Sequence, residues 1–178
     1  MKRMTTLAAV ACLALPALLS AQSQSGSMAA ALQATVTRFA RNMPGAADSM
    51  PADKYGFKPT PGQMSFGEIL AHEAESNETL CAAISGSAAT PSESAAGASA
   101  PKADLVARLR KSFEYCGTVV GGLKDSALGD SVPFFGGRKA TRARAVIALA
   151  QDWADHYAQA AMYLRLNGIL PPSARPRP

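Results

Sequence analysis

The chain has two histidines, His72 and His156, and each falls within a stretch whose apolar residues recur with helical period. His156 lies in DWADHYAQAAMYLRLNGILPP (152–172), between Leu149 and Tyr163 on the apolar stripe. His72 sits at the edge of another stripe, near Ile69 and Ser76, with Glu73 and Asn77 closer to its middle. Glu73, Ser76, Asn77, Asp152 and both imidazoles therefore face or flank one region of an otherwise apolar interior. A buried amide without a partner costs about 2–7 kcal/mol, and an ionised carboxylate far more. Two arrangements meet that demand: the groups bond one another and water, or they surround a ligand or metal in a cleft.

Other chemistries lack their residues. Ser65 and Ser76 near His72 read as a helix cap and a packing hydroxyl, so no nucleophile–base pair forms. The Gly121–Gly122 and Gly136–Gly137 pairs fit turns and not a phosphate loop. Neither CxxC nor CxxCH occurs. Lys139, Arg142 and Arg144 open the last helix as a solvated basic face or as an anion contact.

Four periodic segments must position the polar residues, and no segment shows strand alternation. The first is predicted over 28–43, with Leu32, Val36, Phe39 and Met43 as its stripe and Pro44–Gly45 as its stop. Ser65 opens the second, since Ser-x-x-Glu to Glu68 is a capping box; its apolar side runs through Phe66, Ile69, Leu70, Leu80, Cys81 and Ile84. The third spans 103–123 with Leu105, Leu109, Phe113, Cys116 and Val120 inward. Thr141 caps the fourth, which Gly168 closes. The small-residue tract over 86–101 reads as a flexible loop, and 173–178 as a disordered tail. The long proline-bearing connections before the second and fourth helices predict two crossovers, with helices one and two parallel, three and four parallel, and the pairs opposed.

Composition bounds the rest. The chain of 178 residues suits one all-α domain, residues 22–178, behind a secretory signal over 1–21, in which Lys2 and Arg3 precede an apolar run ending in small residues. That run is shorter than the roughly 20 residues of a membrane span, so a soluble periplasmic or secreted protein is expected, with no membrane partner after cleavage. Loss of Lys2 and Arg3 with the signal would lower the net charge from +5 to a mild +3, spread along the chain and without interleaved aromatics, which argues against nucleic acid. Cys81 and Cys116 then stand either as a disulfide or as two buried thiols.

Taken together, SFGEILAH around His72, KYGFKPTPGQMSFGE before it and HYAQAAMYLRLNGILPPS near the end resemble the DinB-like superfamily of four-helix bundles. The likeness covers residues 28–174 and implies a metal site. In that family three histidines hold a divalent ion such as zinc or nickel, one from the second helix and two a turn apart on the fourth, leaving room for water and substrate. His72 matches the first and His156 the second; Ala160 stands where the third would be. Asp152, Gln159 or Glu73 are the residues that could complete or support the site. The resemblance implies a metal-dependent transferase or hydrolase acting on a small molecule, and allows a homodimer. The alternative is a non-catalytic bundle that binds a small ligand or protein partner without metal.

Overall fold

The computed structural model describes residues 26–87 and 99–176. The expected signal segment and most of the 86–101 tract lie outside the described residues. Four helices form the expected bundle: α1 (Met28–Ser49), α2 (Phe66–Ser85), α3 (Lys102–Gly121) and α4 (Arg142–Leu166). Among the described residues no helix is long and apolar enough to cross a membrane.

Helix starts follow local chemistry. The Ser27 hydroxyl accepts from Ala30 N, and the Asp125 carboxylate, from beyond α3, accepts from Met28 N and Ala29 N at 3.1 and 2.8 Å. Those amides hold the Asp125 carboxyl below its ordinary range. The capping box at α2 is present: Glu68 N donates to Ser65 Oγ at 3.2 Å, and Ser65 N donates to Glu68 Oε2 at 2.5 Å. That backbone amide, with the Ser65 side chain and Lys58, brings the Glu68 carboxyl down to about 2. A lowered carboxylate stabilises the fold above its unfolded pKa and loses that contribution as pH falls through the folded one. We therefore expect the stability advantage of wild type over Glu68→Gln, measured by urea titration, to be full at pH 7 and to vanish between about pH 4.5 and pH 2.

Cross-helix bonds fix the directions. Gln33 Nε2 reaches Val120 O at one end, and Lys102 Nζ reaches Asp48 O and Met50 O at the other, so α1 and α3 are antiparallel. Asn77 meets Ser112 and Cys81 meets Cys116, which makes α2 and α3 parallel. Tyr163 meets Met64, Trp153 meets Asn77 and Arg142 meets Ile84, so α4 is antiparallel to α2. This order corrects the expectation of parallel first and second helices and of two crossovers. The connection after α1 stays at one end, where it folds into a plug. Tyr55 OH donates to Ala47 O, Gly67 N to Tyr55 O and Phe66 N to Phe57 O. Of the consecutive helix pairs, only α2 and α3 run parallel.

Three further differences have local causes. Helix α1 runs through Pro44 to Ser49 although an internal proline costs about 3 kcal/mol. Beyond it Ala46, Ala47 and Met50 are wholly buried, and Lys102 satisfies the last carbonyls. Before α4 a hairpin appears where no strand was expected, β1 (Ser131–Phe134) pairing antiparallel with β2 (Arg138–Thr141), Val132 opposite Ala140. Gly136 and Gly137 turn it at φ 67 and 71, conformations that side chains disfavour. The tail, expected to be disordered from 173, continues through a short 3-10 turn at Pro172–Ala174, and Ser173 N donates to Tyr157 OH at 3.0 Å.

Candidate metal centre

Helices α2 and α4 lie against each other with a fixed register. Asn77, fully buried on α2, accepts from Trp153 Nε1 of α4 at 2.6 Å through Oδ1 and donates through Nδ2 to Ser112 of α3 at 3.0 Å. The Trp153 ring then packs against Phe39 and Phe113, with centroids 6.1 and 5.9 Å away. Asn77, grouped with the site by its sequence position, is thus a structural tie among three helices. The signal for this was Trp153 itself, since a buried indole N–H needs an acceptor.

With the register set, His72 of α2 meets Asp152 and His156 of α4. One ligating atom from each of the three lies within 4.8 Å of the others. The two imidazole rings stand edge to face, centroids 4.7 Å apart at 80°. Asp152 and His156 are one turn apart on α4, with Asp152 Oδ1 3.4 Å from His156 Nε2. Burial rises across the cluster: His72 is exposed, Asp152 partly buried and His156 only 6% exposed.

The unmet bonding capacity concentrates here. His156 Nδ1, Asp152 Oδ2 and both carboxyl oxygens of Glu73 are buried without a hydrogen-bond partner. Glu73, fully buried on α2 next to His72, has its carboxyl pushed well above the usual carboxylate range, first by burial and then by the negative charge of Asp152. Such groups each cost about 1–3 kcal/mol when left unpaired. A divalent cation held by the two imidazoles and the Asp152 carboxylate would engage lone pairs of those three side chains, and that donor set suits zinc, nickel or ferrous iron. The residues present therefore fit a metal.

Of the residues read from sequence, His72, His156 and Asp152 come together. Glu73 stands outside the three-residue group but within reach of the charge of Asp152. Gln159 is partly buried one turn further along α4, and Ser76 partly buried on α2. Ala160 is completely buried, so the position of a third histidine is filled by packing.

The DinB superfamily family model matches residues 35–160, most of the bundle and all of these positions. The chain belongs to the DinB superfamily. A crystal structure of a DinB-like protein from Bacillus subtilis is similar at TM-score 0.63 and 19% identity, over 82% of this chain and 99% of that one. The mycothiol-dependent maleylpyruvate isomerase, as a histidine-to-alanine mutant, is similar at TM-score 0.60 and 10% identity, over 73% of this chain and 59% of that one. At these identities the likeness is one of fold. Among curated proteins none matches the chain in sequence.

Proposed function

We propose that this DinB protein holds one divalent cation on His72, Asp152 and His156 and acts as a metal-dependent transferase or hydrolase on a small molecule. The observation that carries the reading is the convergence of those three side chains within 4.8 Å, with unpartnered buried atoms on Asp152 and His156. A bound ion there would supply Lewis-acid polarisation and activate a water or thiol as nucleophile.

The chain's own residues supply the rest. His72, the exposed member, marks the mouth through which substrate arrives. Asp152 Oδ1 orients the buried imidazole of His156. Glu73, deep in the bundle, has its ionisation opposed first by burial and then by the neighbouring charge of Asp152. The isomerase neighbour is mycothiol-dependent by name, which supports a thiol co-substrate for this chain among the alternatives to water.

A second reading, a non-catalytic bundle that binds a small ligand or partner through the same cleft, draws on Ala160 in the third-histidine position. Elemental analysis of protein purified from full-length expression without chelator separates the two. The metal reading expects about one equivalent of zinc, nickel or iron per chain, three protein ligands plus water being the common catalytic arrangement. Absence of stoichiometric metal overturns it. Export is part of the proposal, supported by the basic-then-apolar start of the sequence and by the pairing of Cys81 with Cys116. Mass spectrometry of the same sample tests it, and an intact first segment would contradict cleavage after residue 21.

A further inference from the structure

Between the second half of α1 and the tail after α4 lies an open cavity of about 750 Å³, whose lining includes Arg38, Arg41, Asn42, Ser173 and Arg175. Arg38 and Arg41, three residues apart, share one face of α1. The Arg38 guanidinium packs over the Phe39 ring at 5.3 Å, and Arg41 Nε reaches Oδ1 of Asn42, itself 2% exposed, at 3.4 Å. Arg175 comes from the opposite wall, its guanidinium donating to Ser49 Oγ at 2.6 Å and to Leu170 O at 3.1 Å.

The wall that carries Arg175 is built in. Pro171 is buried, and Pro172 approaches so closely that a Cβ at Gly45 would meet its Cγ at 3.1 Å. Ser173 N is held by Tyr157 OH. The tail is thereby placed to close the cavity. Arg108, Arg110 and Arg142 each pair with a carboxylate, whereas Arg38, Arg41 and Arg175 have none within 4.0 Å among the described residues. Three positive charges without an ion-pair partner among the described residues repel each other around one concavity, and an anion placed between them reverses the sign of that energy. Guanidinium forks match carboxylate and phosphate oxygens in pairs, and the volume falls in the range of small-ligand sites.

We propose that this cavity binds a small organic dianion, a dicarboxylate or a phosphate monoester, held by Arg38, Arg41 and Arg175. It shares no residue with the His72–Asp152–His156 cluster and does not depend on the metal reading.

Isothermal titration of the full chain with succinate and, separately, with inorganic phosphate tests this at constant ionic strength set by chloride. Saturable one-to-one binding of at least one of the two is expected, and the tighter one identifies the anion class. Arg38→Gln/Arg41→Gln should weaken it at least about tenfold, since two charge-assisted bonds are lost. Both side chains are exposed, so the double variant should melt as wild type does by circular dichroism. Arg175→Gln, from the other wall, should weaken binding as well. Absence of binding by either anion, or equal binding by a double variant that melts as wild type does, overturns the proposal.

Discussion

Replacing His156 by leucine should abolish the response of the protein to metal while leaving the metal-free fold as stable as before, within about 1 kcal/mol. The two halves of this expectation come from the same atoms. Without an ion, His156 Nδ1 and Asp152 Oδ2 are buried and unpartnered, so the imidazole gives the apo fold little, and an apolar side chain of similar size keeps the packing. With an ion, the imidazole is one ligand of three. Loss of an outer hydrogen bond to a ligand already weakens metal binding by about 10–100-fold, and loss of the ligand itself should exceed this. At zinc concentrations near 100 times Kd, wild type gains about 2.7 kcal/mol, which for a domain of this size raises Tm by about 5–10 °C. Calorimetry of chelator-treated protein, titrated with zinc, should show that rise in wild type and none in His156→Leu. A His156 that served only a structural network would behave oppositely, with a large loss of apo stability and no metal response in either protein. His72→Ala is the companion measurement: being exposed, its removal should spare the fold and remove the same shift.

Removing the Cys81–Cys116 link should destabilise the fold by about 3–4 kcal/mol. The bridge joins α2 to α3 with Cα atoms 5.4 Å apart and closes a segment of sequence separation 35, and the loop-closure entropy of the unfolded chain scales with that length. Both cysteines are fully buried, and Cys116 lies beside Asn77, the residue that ties α2 to Trp153. Cys81→Ala/Cys116→Ala also sheds two buried sulfurs, so reduction of the wild type is the cleaner comparison. Urea denaturation with and without reductant should shift the midpoint of wild type and leave the double variant unmoved. Unchanged wild-type stability in reductant would remove the bridge from the list of what holds the bundle together.

The sequence made the apolar stripes, the capping box of α2 and the two inward histidines legible because each is a local pattern of types at helical spacing. Asp152 was legible as a candidate for the same reason, one turn from His156. What escaped was decided at a distance. Pro44 reads as a stop, and only the burial of Ala46, Ala47 and Met50 against other elements carries α1 past it. The hairpin has four residues per strand and a single buried side chain in β1, Val132, so no alternation could show; the Gly136–Gly137 pair was its one mark. Helix directions were inferred from connection length, yet the segment from Met50 to Ser65 folds back on Ala47 and Gly67 and spans nothing. The tail is composed like a disordered segment and owes its place to Tyr157, Ser49 and Gly45. Glu73 was visible as a polar residue, but its isolation from every hydrogen-bonding partner was not.

The parallel run of α2 and α3 has one more consequence. A single backbone cut between residues 87 and 99 would divide the molecule into a piece holding α1 and α2 and a piece holding α3 and α4, each donating half of the histidine pair. The sulfur–sulfur bond would still tether them. A nicked molecule would therefore migrate as one species until a thiol reagent parted it, and complementation between separately made halves becomes a question of covalent re-pairing as much as of fit.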